Sequence, residues 1–128
     1  MCIRDRGNIV KNNILYTPDA SEGSVLIAAA SVAGFQSDYN AVVNRFSSNN
    51  DSSVISLAKW QAHGYDLHSI ISTPAKLFVD PASNNYQLKP GSPAINGGTT
   101  LSDVPTDILG VKRPQGAGYD IGCYEAIP

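Results

Sequence analysis

Asn13-Ile14-Leu15-Tyr16 and Asn40-Ala41-Val42-Val43 are the stretches whose reading decides the fold. Each is an asparagine followed by three residues suited to a short strand, and Asn13 and Asn40 lie 27 residues apart. Spacings of roughly 20–50 residues are the mark of stacked repeats. Around them lie further short bursts at Ile9-Val10, Val25-Leu26-Ile27, Val32 to Phe35 and Tyr39 to Val43. Asn, Gly, Pro, Asp or Ser punctuates most of them. Short strands bounded by turn residues predict an all-β fold. Two roles are open to Asn13 and Asn40. They either stack as a ladder, bonding the backbone and each other through their amides, or serve as ordinary turn asparagines.

The chain has 128 residues, a size that suits one domain or less, and 42% hydrophobic content, enough for a core. Its formal charge is −2, with no basic cluster of the kind that binds nucleic acid. No apolar run approaches the ~18–20 residues of a membrane span. Met1-Cys2-Ile3-Arg4-Asp5-Arg6 is polar and aperiodic. It back-translates as ATG-TGT-ATA-AGA-GAC-AGN, which resembles a sequencing-library adapter read in one frame. Residues 1–6 are therefore expected to be a non-native scar, to be set aside in reading the fold. On that expectation the chain is the tail of a longer gene. Cys123 is then the remaining cysteine, too few for a disulfide framework or a metal quartet. It is expected to be a small buried residue.

Residues 7–51 are expected to form stacked coils, and residues 52–128 a cap. In the latter, Val54, Leu57 and Ala58 share one helical face, Ser52 or Ser53 can cap, and Gly64 is placed to stop the helix. This predicts a short helix over about 54–62. From Tyr65 onward prolines and glycines dominate, predicting irregular chain with short strands near Tyr86–Lys89 and Ile121–Tyr124. Phe78, Val79, Leu88, Ile95 and Ile108 recur often enough to anchor it.

A set of signatures runs through the same region. It reads Ser37-Asp38-Tyr39-Asn40, Trp60, Asp66-Leu67-His68-Ser69-Ile70, Phe78-Val79-Asp80-Pro81 and Tyr86-Gln87-Leu88. It continues with Gly91-Ser92-Pro93-Ala94-Ile95-Asn96-Gly97-Gly98, Asp107, Gly110, Arg113-Pro114 and Tyr119 to Glu125. In order and spacing this resembles the C-terminal end of bacterial extracellular right-handed parallel β-helix proteins. These are pectate-lyase-like proteins that end in a choice-of-anchor Q domain. The resemblance covers roughly residues 37–125. It implies the last coils of a right-handed parallel β-helix, a short helix and a loop-rich C-terminal cap. It also implies a secreted or cell-surface protein, further coils upstream as partner, and polysaccharide as the molecule contacted or acted on. Lyases of this fold use Lys or Arg as base, often with calcium, so the resemblance leaves calcium open for the longer protein and implies none in this segment. Of the coil residues only Lys11 and Arg45 fit that role, and neither sits in a lyase motif.

Glycoside hydrolysis needs two carboxylates about 5–9.5 Å apart. Asp107, Asp120 and Glu125 cluster around Arg113 in the tail. They form either such a pair or a structural bridge to the planar guanidinium. The bridge is the expected reading, with Asp120 or Asp107 as the partner. Tyr39, Trp60, Tyr65 and Tyr86 are the candidate sugar-stacking rings, against the commoner use of aromatics in packing. His68 has no second histidine at ligand spacing and reads as a hydrogen-bonded structural residue; His63 lies near the helix end. Asp38 reads as a turn cap, its alternative being a calcium ligand. Asn40, Asp80 and Ser92 complete the structural signature. No cofactor or metal site is expected within this segment.

Overall fold

The computed structural model describes the backbone of Cys2–Ile3 and residues 5–128 in full. The fold is all-β with a few short helices, and no described helix is long and apolar enough to cross a membrane. The strands are β1 (Cys2–Ile3), β2 (Ile9–Lys11), β3 (Ile14–Leu15), β4 (Val25–Ile27), β5 (Gln36–Asp38), β6 (Ala41–Val42) and β7 (Phe46–Ser47). After helix α1 (Leu57–Ala62) come β8 (Ile70–Ile71), α2 (Pro74–Leu77), β9 (Phe78–Asp80) and β10 (Asn85–Leu88).

Three small parallel sheets carry the first half, in the orders β1-β4-β7, β2-β5 and β3-β6-β8. Ile9 pairs with Gln36 and Ile14 with Ala41. The chain thus returns to lie beside itself one winding later. The 27-residue offset of Asn13 and Asn40 is this register. The next return is longer, with Ala41 opposite Ile70. The sheets remain small separate pieces, joined at corners where Asn12 and Tyr39 both take left-handed φ of 57°. Gly34 lies directly against Gly7, both with positive φ, so a Cβ at Gly34 would meet the Gly7 backbone.

Successive residues of a strand face opposite sides, and β6 shows what this does. Val42 enters an inner core with Val10, Val25, Ile27, Phe35 and Phe46. Full burial of each such side chain contributes about 1.5–3 kcal/mol. Ala41 points outward and is covered by Leu77, Ala94 and Ile121 from the tail. Helix α1 closes the inner core. Its Leu57 and Trp60 are buried there, with the indole stacked on Phe46 at 5.2 Å and 19°.

Two expectations are corrected, the bounds of the helix and the strand at Ile121–Tyr124. The helix begins at Leu57, and its cap is Ser56, whose Oγ accepts from the Lys59 N–H. Ile55 is taken by an antiparallel bridge to Phe46, which holds the preceding residues out of the helix. Ile121–Tyr124 is not a strand: the Ile121 and Gly122 amides bond the isolated carbonyls of Ala94 and Asn12, with no ladder formed. Instead β10 pairs antiparallel with β9. The division at residue 51 cuts through a sheet, since β8 is the third strand beside β3 and β6. Cys2–Ile3, set aside in the sequence reading, pairs in parallel with Leu26–Ile27.

Candidate functional site

The signature residues gather in two places, an exposed cluster on the windings and a buried clasp in the tail. The cluster forms at the end of β5. There Tyr39 turns the chain through left-handed φ, and this brings Asp38 against His68 of the next winding. Asp38 Oδ1 accepts from the Tyr39 and His68 backbone N–H groups at 2.9 and 2.7 Å. Its Oδ2 lies 2.7 Å from His68 Nδ1. The His68 ring stacks on Tyr39 at 4.6 Å and 11° and is 58% exposed. Partial burial opposes the charge on Asp38. The His68 ring, the two backbone N–H donors and the charge of His68 outweigh it and hold the carboxyl below its usual range. An ionised carboxylate only accepts, so it fixes the proton on Nδ1 and leaves Nε2 as the outward ring nitrogen. Chemically this is an oriented imidazole beside an aromatic face. Asp38 thus caps the turn, both of its oxygens accepting from N–H groups.

Beneath the cluster lies a hub that the sequence reading did not single out. Asp66 is fully buried, and its Oδ1 accepts from Asn40 Nδ2 at 2.9 Å and Ser69 Oγ at 2.6 Å. Its Oδ2 accepts from Trp60 Nε1 at 2.8 Å. Asn40 is also fully buried, donates to the Val10 carbonyl and accepts from the Asn13 amide. The Asn40 amide in turn donates to Ser69 Oγ at 2.7 Å. Of the two roles open to Asn13 and Asn40, the structure supports the ladder. The signal for Asp66 was its place two residues before His68 in one signature. Its partners, scattered from Val10 to Ser69, were not legible there.

The tail spends its carboxylates on backbone amides. Asp107 Oδ1 accepts from Leu109 and Val111, and its Oδ2 from Glu125. Desolvation opposes ionisation of Asp107; these three amides and the charge of Arg113 more than offset it, and its carboxyl is held below the usual range. Asp120 accepts from Asn96 at 2.7 Å and Ala126 at 2.6 Å. Glu125 accepts from Gln115 and from Asp120. Arg113 is buried, and its ion pair is with Glu125 at 3.5 Å rather than with the carboxylates of Asp120 or Asp107. It reaches Asp120 through the backbone carbonyl at 3.0 Å. The bridge is therefore made to a third acid, Glu125, which also accepts two backbone amides. Asn12 ties the tail to the windings, donating to the Thr99 carbonyl and accepting from the Thr99 amide.

Trp60 has no exposed surface, so its ring meets protein and not sugar. Tyr65 packs half-buried beside it, with centroids 4.8 Å apart. Tyr86 is 42% exposed and sits edge-on to Phe78. Of the four candidate rings, Tyr86 is thus the exposed one, while Tyr39 is half-buried like Tyr65 and stacks one face on His68. Asp80 caps a single 3-10 turn, and Ser92 is buried with its Oγ near the Ala94 amide. Cys123 is free and exposed, a correction to its expected burial. Among the described residues no group of three or more His, Cys, Asp or Glu could hold a metal ion. Between the first winding and the tail lies a cavity of about 880 Å3, lined mostly by apolar side chains. No family model, curated protein or solved structure matches this chain.

Proposed function

We propose that this chain is the terminal, capping segment of a secreted or cell-surface right-handed parallel β-helix protein. In this reading it is not itself catalytic and contacts polysaccharide through its exposed winding surface. The observation that carries the reading is the contrast between paired windings and a tail whose buried carboxylates, Asp107, Asp120 and Glu125, all accept from backbone amides. An acid/base pair needs one carboxylic acid free to give a proton and one carboxylate free to take it. Asp107, Asp120 and Glu125 each accept two or three backbone N–H groups, and Glu125 also pairs with Arg113, which holds all three side chains in place. The parallel registers and the helix over the inner core support the terminal position. The exposed His68 ring, stacked on the half-buried Tyr39, supports a sugar contact there.

A second reading, that the longer protein is a polysaccharide lyase or hydrolase, is favoured by the Asp38–His68 pair. Its carboxylate-oriented imidazole has the form of a general base. One experiment separates the two. The chain is incubated with pectin and alginate, and release of unsaturated sugar and reducing ends is measured beside retardation in affinity gels. The proposal expects retardation that Tyr39→Ala abolishes, with no release. Release that disappears in His68→Ala would move the assignment to the enzyme, and no retardation on either polymer would overturn the contact role.

A further inference from the structure

We propose that the free edge of β3, together with the tail beside it, is a seat for one more winding. The occupant is an extended strand parallel to β3, with Asn beside Asn13 and an apolar residue beside Ile14. This rests on the reading of the chain as a terminal segment and adds where, and by what chemistry, the neighbouring winding docks.

Three observations point to the same occupant. The first is the edge: among the described residues β3 and β2 each have a ladder partner on one side alone. Unpaired edges template the addition of a strand. The second is the direction of the ladder. The Asn13 amide donates to Asn40 Oδ1, and the Asn40 amide donates to Ser69 Oγ. Each rung's side-chain oxygen accepts the amide of the rung before it. Asn13 ends the row, is exposed, and nothing among the described residues donates to its Oδ1. Its oxygen is placed to accept the amide of an incoming rung.

The third is the cavity of about 880 Å3. From the sheet side only the first winding lines it, through residues such as Ile14 and Tyr16. From the tail side come Leu88, Leu101, Val104 and Tyr124. It continues the interface in which Leu77, Ala94 and Ile121 bury Ala41, the residue paired with Ile14. The tail thus covers more rungs than the three that the sheet presents. A further apolar side chain in the Ile14 row would fill that space, as Ala41 and Ile14 fill theirs.

The test adds the winding. A second copy of Gly7–Ala33, one 27-residue period, replaces residues 1–6, so that its end meets Gly7 as Ala33 meets Gly34. Cys123, which lines the cavity and is exposed, is then the sole thiol. Its reaction rate with a thiol reagent is compared with that of the full chain carrying Cys2→Ser. The expected result is a rate at least tenfold lower, restored when the added copy carries Ile14→Asp, with both proteins folded by circular dichroism. An unchanged rate in the folded, extended protein overturns the proposal, and so does failure of the extended protein to fold where the Cys2→Ser chain folds. Protection of Cys123 that grows with concentration in the Cys2→Ser chain, with dimers in sedimentation, would give the seat to a second copy and also overturn it. The polysaccharide assay on the Cys2→Ser chain is independent of this readout, so the two readings fail separately.

Discussion

In the windings, the strand amides find their partners in the carbonyls of the next winding; in the tail, a set of amides turns instead to three buried carboxylates. Ile9–Lys11 and Ile14–Leu15 pair along a register that any residues of suitable shape could keep. Leu109, Val111, Gln115, Asp120, Glu125 and Ala126 instead donate to three particular acids. Every buried amide must be satisfied in both regions. A ladder spreads that requirement over many equivalent bonds, whereas a clasp concentrates it in a few side chains. The tail is therefore expected to tolerate single substitutions less well than the windings, except where the windings also rely on a buried polar hub.

The sharpest break of this comparison is at Arg113 and Glu125. Both are buried, and removing either leaves an uncompensated charge and orphaned backbone partners. Glu125→Ala should cost about 3–5 kcal/mol in urea unfolding, by the usual penalty for breaking a buried pair. A cost below that of an ordinary surface change would show that the clasp is not what holds the tail. Trp60→Ala should be comparable, about 3–5 kcal/mol from the cavity alone. Its loss also leaves Asp66 Oδ2 without its donor. Trp60→Phe, which keeps the ring and drops the N–H, separates those two contributions.

The ladder gives a middle-sized test. Asn40→Ala removes a fully buried amide and strands the Val10 carbonyl, the Asn13 amide and Asp66. At about 1–3 kcal/mol for the buried partners left unsatisfied, its midpoint shift should far exceed that of Asn13→Ala. Asn13 is exposed, so water can replace it. Equal effects would mean that the rungs are equivalent and burial does not matter.

Acid titration sharpens the contrast further. The depressed Asp107 carboxyl contributes stability that is present above the unfolded value of about 3.9 and is lost as pH falls through its lower folded value. Asp107→Asn should flatten the loss of stability below about pH 4 and leave the slope near neutrality unchanged. Asp38 carries the same sign through His68, so Asp38→Asn should flatten the same window on the winding side. The smallest effect is expected at Arg45–Asp51, a 3.0 Å pair on the surface. Asp51→Ala should change stability by about 0–1 kcal/mol, and less at high salt.

Much of the plan was legible because it depends on local chemistry and on spacing. The bursts at Ile9, Ile14, Val25 and Tyr39 each mark a strand or its immediate neighbour, and Gly64 with φ of 88° follows the helix as its position suggests. The 27-residue offset became the register of β2 with β5 and of β3 with β6, because a slip of one residue would turn their side chains to the other face. The cluster of Asp107, Asp120, Glu125 and Arg113 was visible as a group.

Which acid pairs with Arg113 was settled by tertiary structure, since sequence proximity does not say which oxygens the loops have already filled. The same holds for Asp66, whose role exists only once Trp60, Asn40 and Ser69 converge on it. It holds too for Cys123, left exposed where its composition favoured burial. Sequence by itself determined the strand-rich class and one return of the chain, because backbone sterics and side-chain alternation act over a few residues. Tertiary structure alone decided the partners of the buried charges and the one-sided pairing of β3, because those depend on which distant groups the windings and the tail bring within hydrogen-bonding distance.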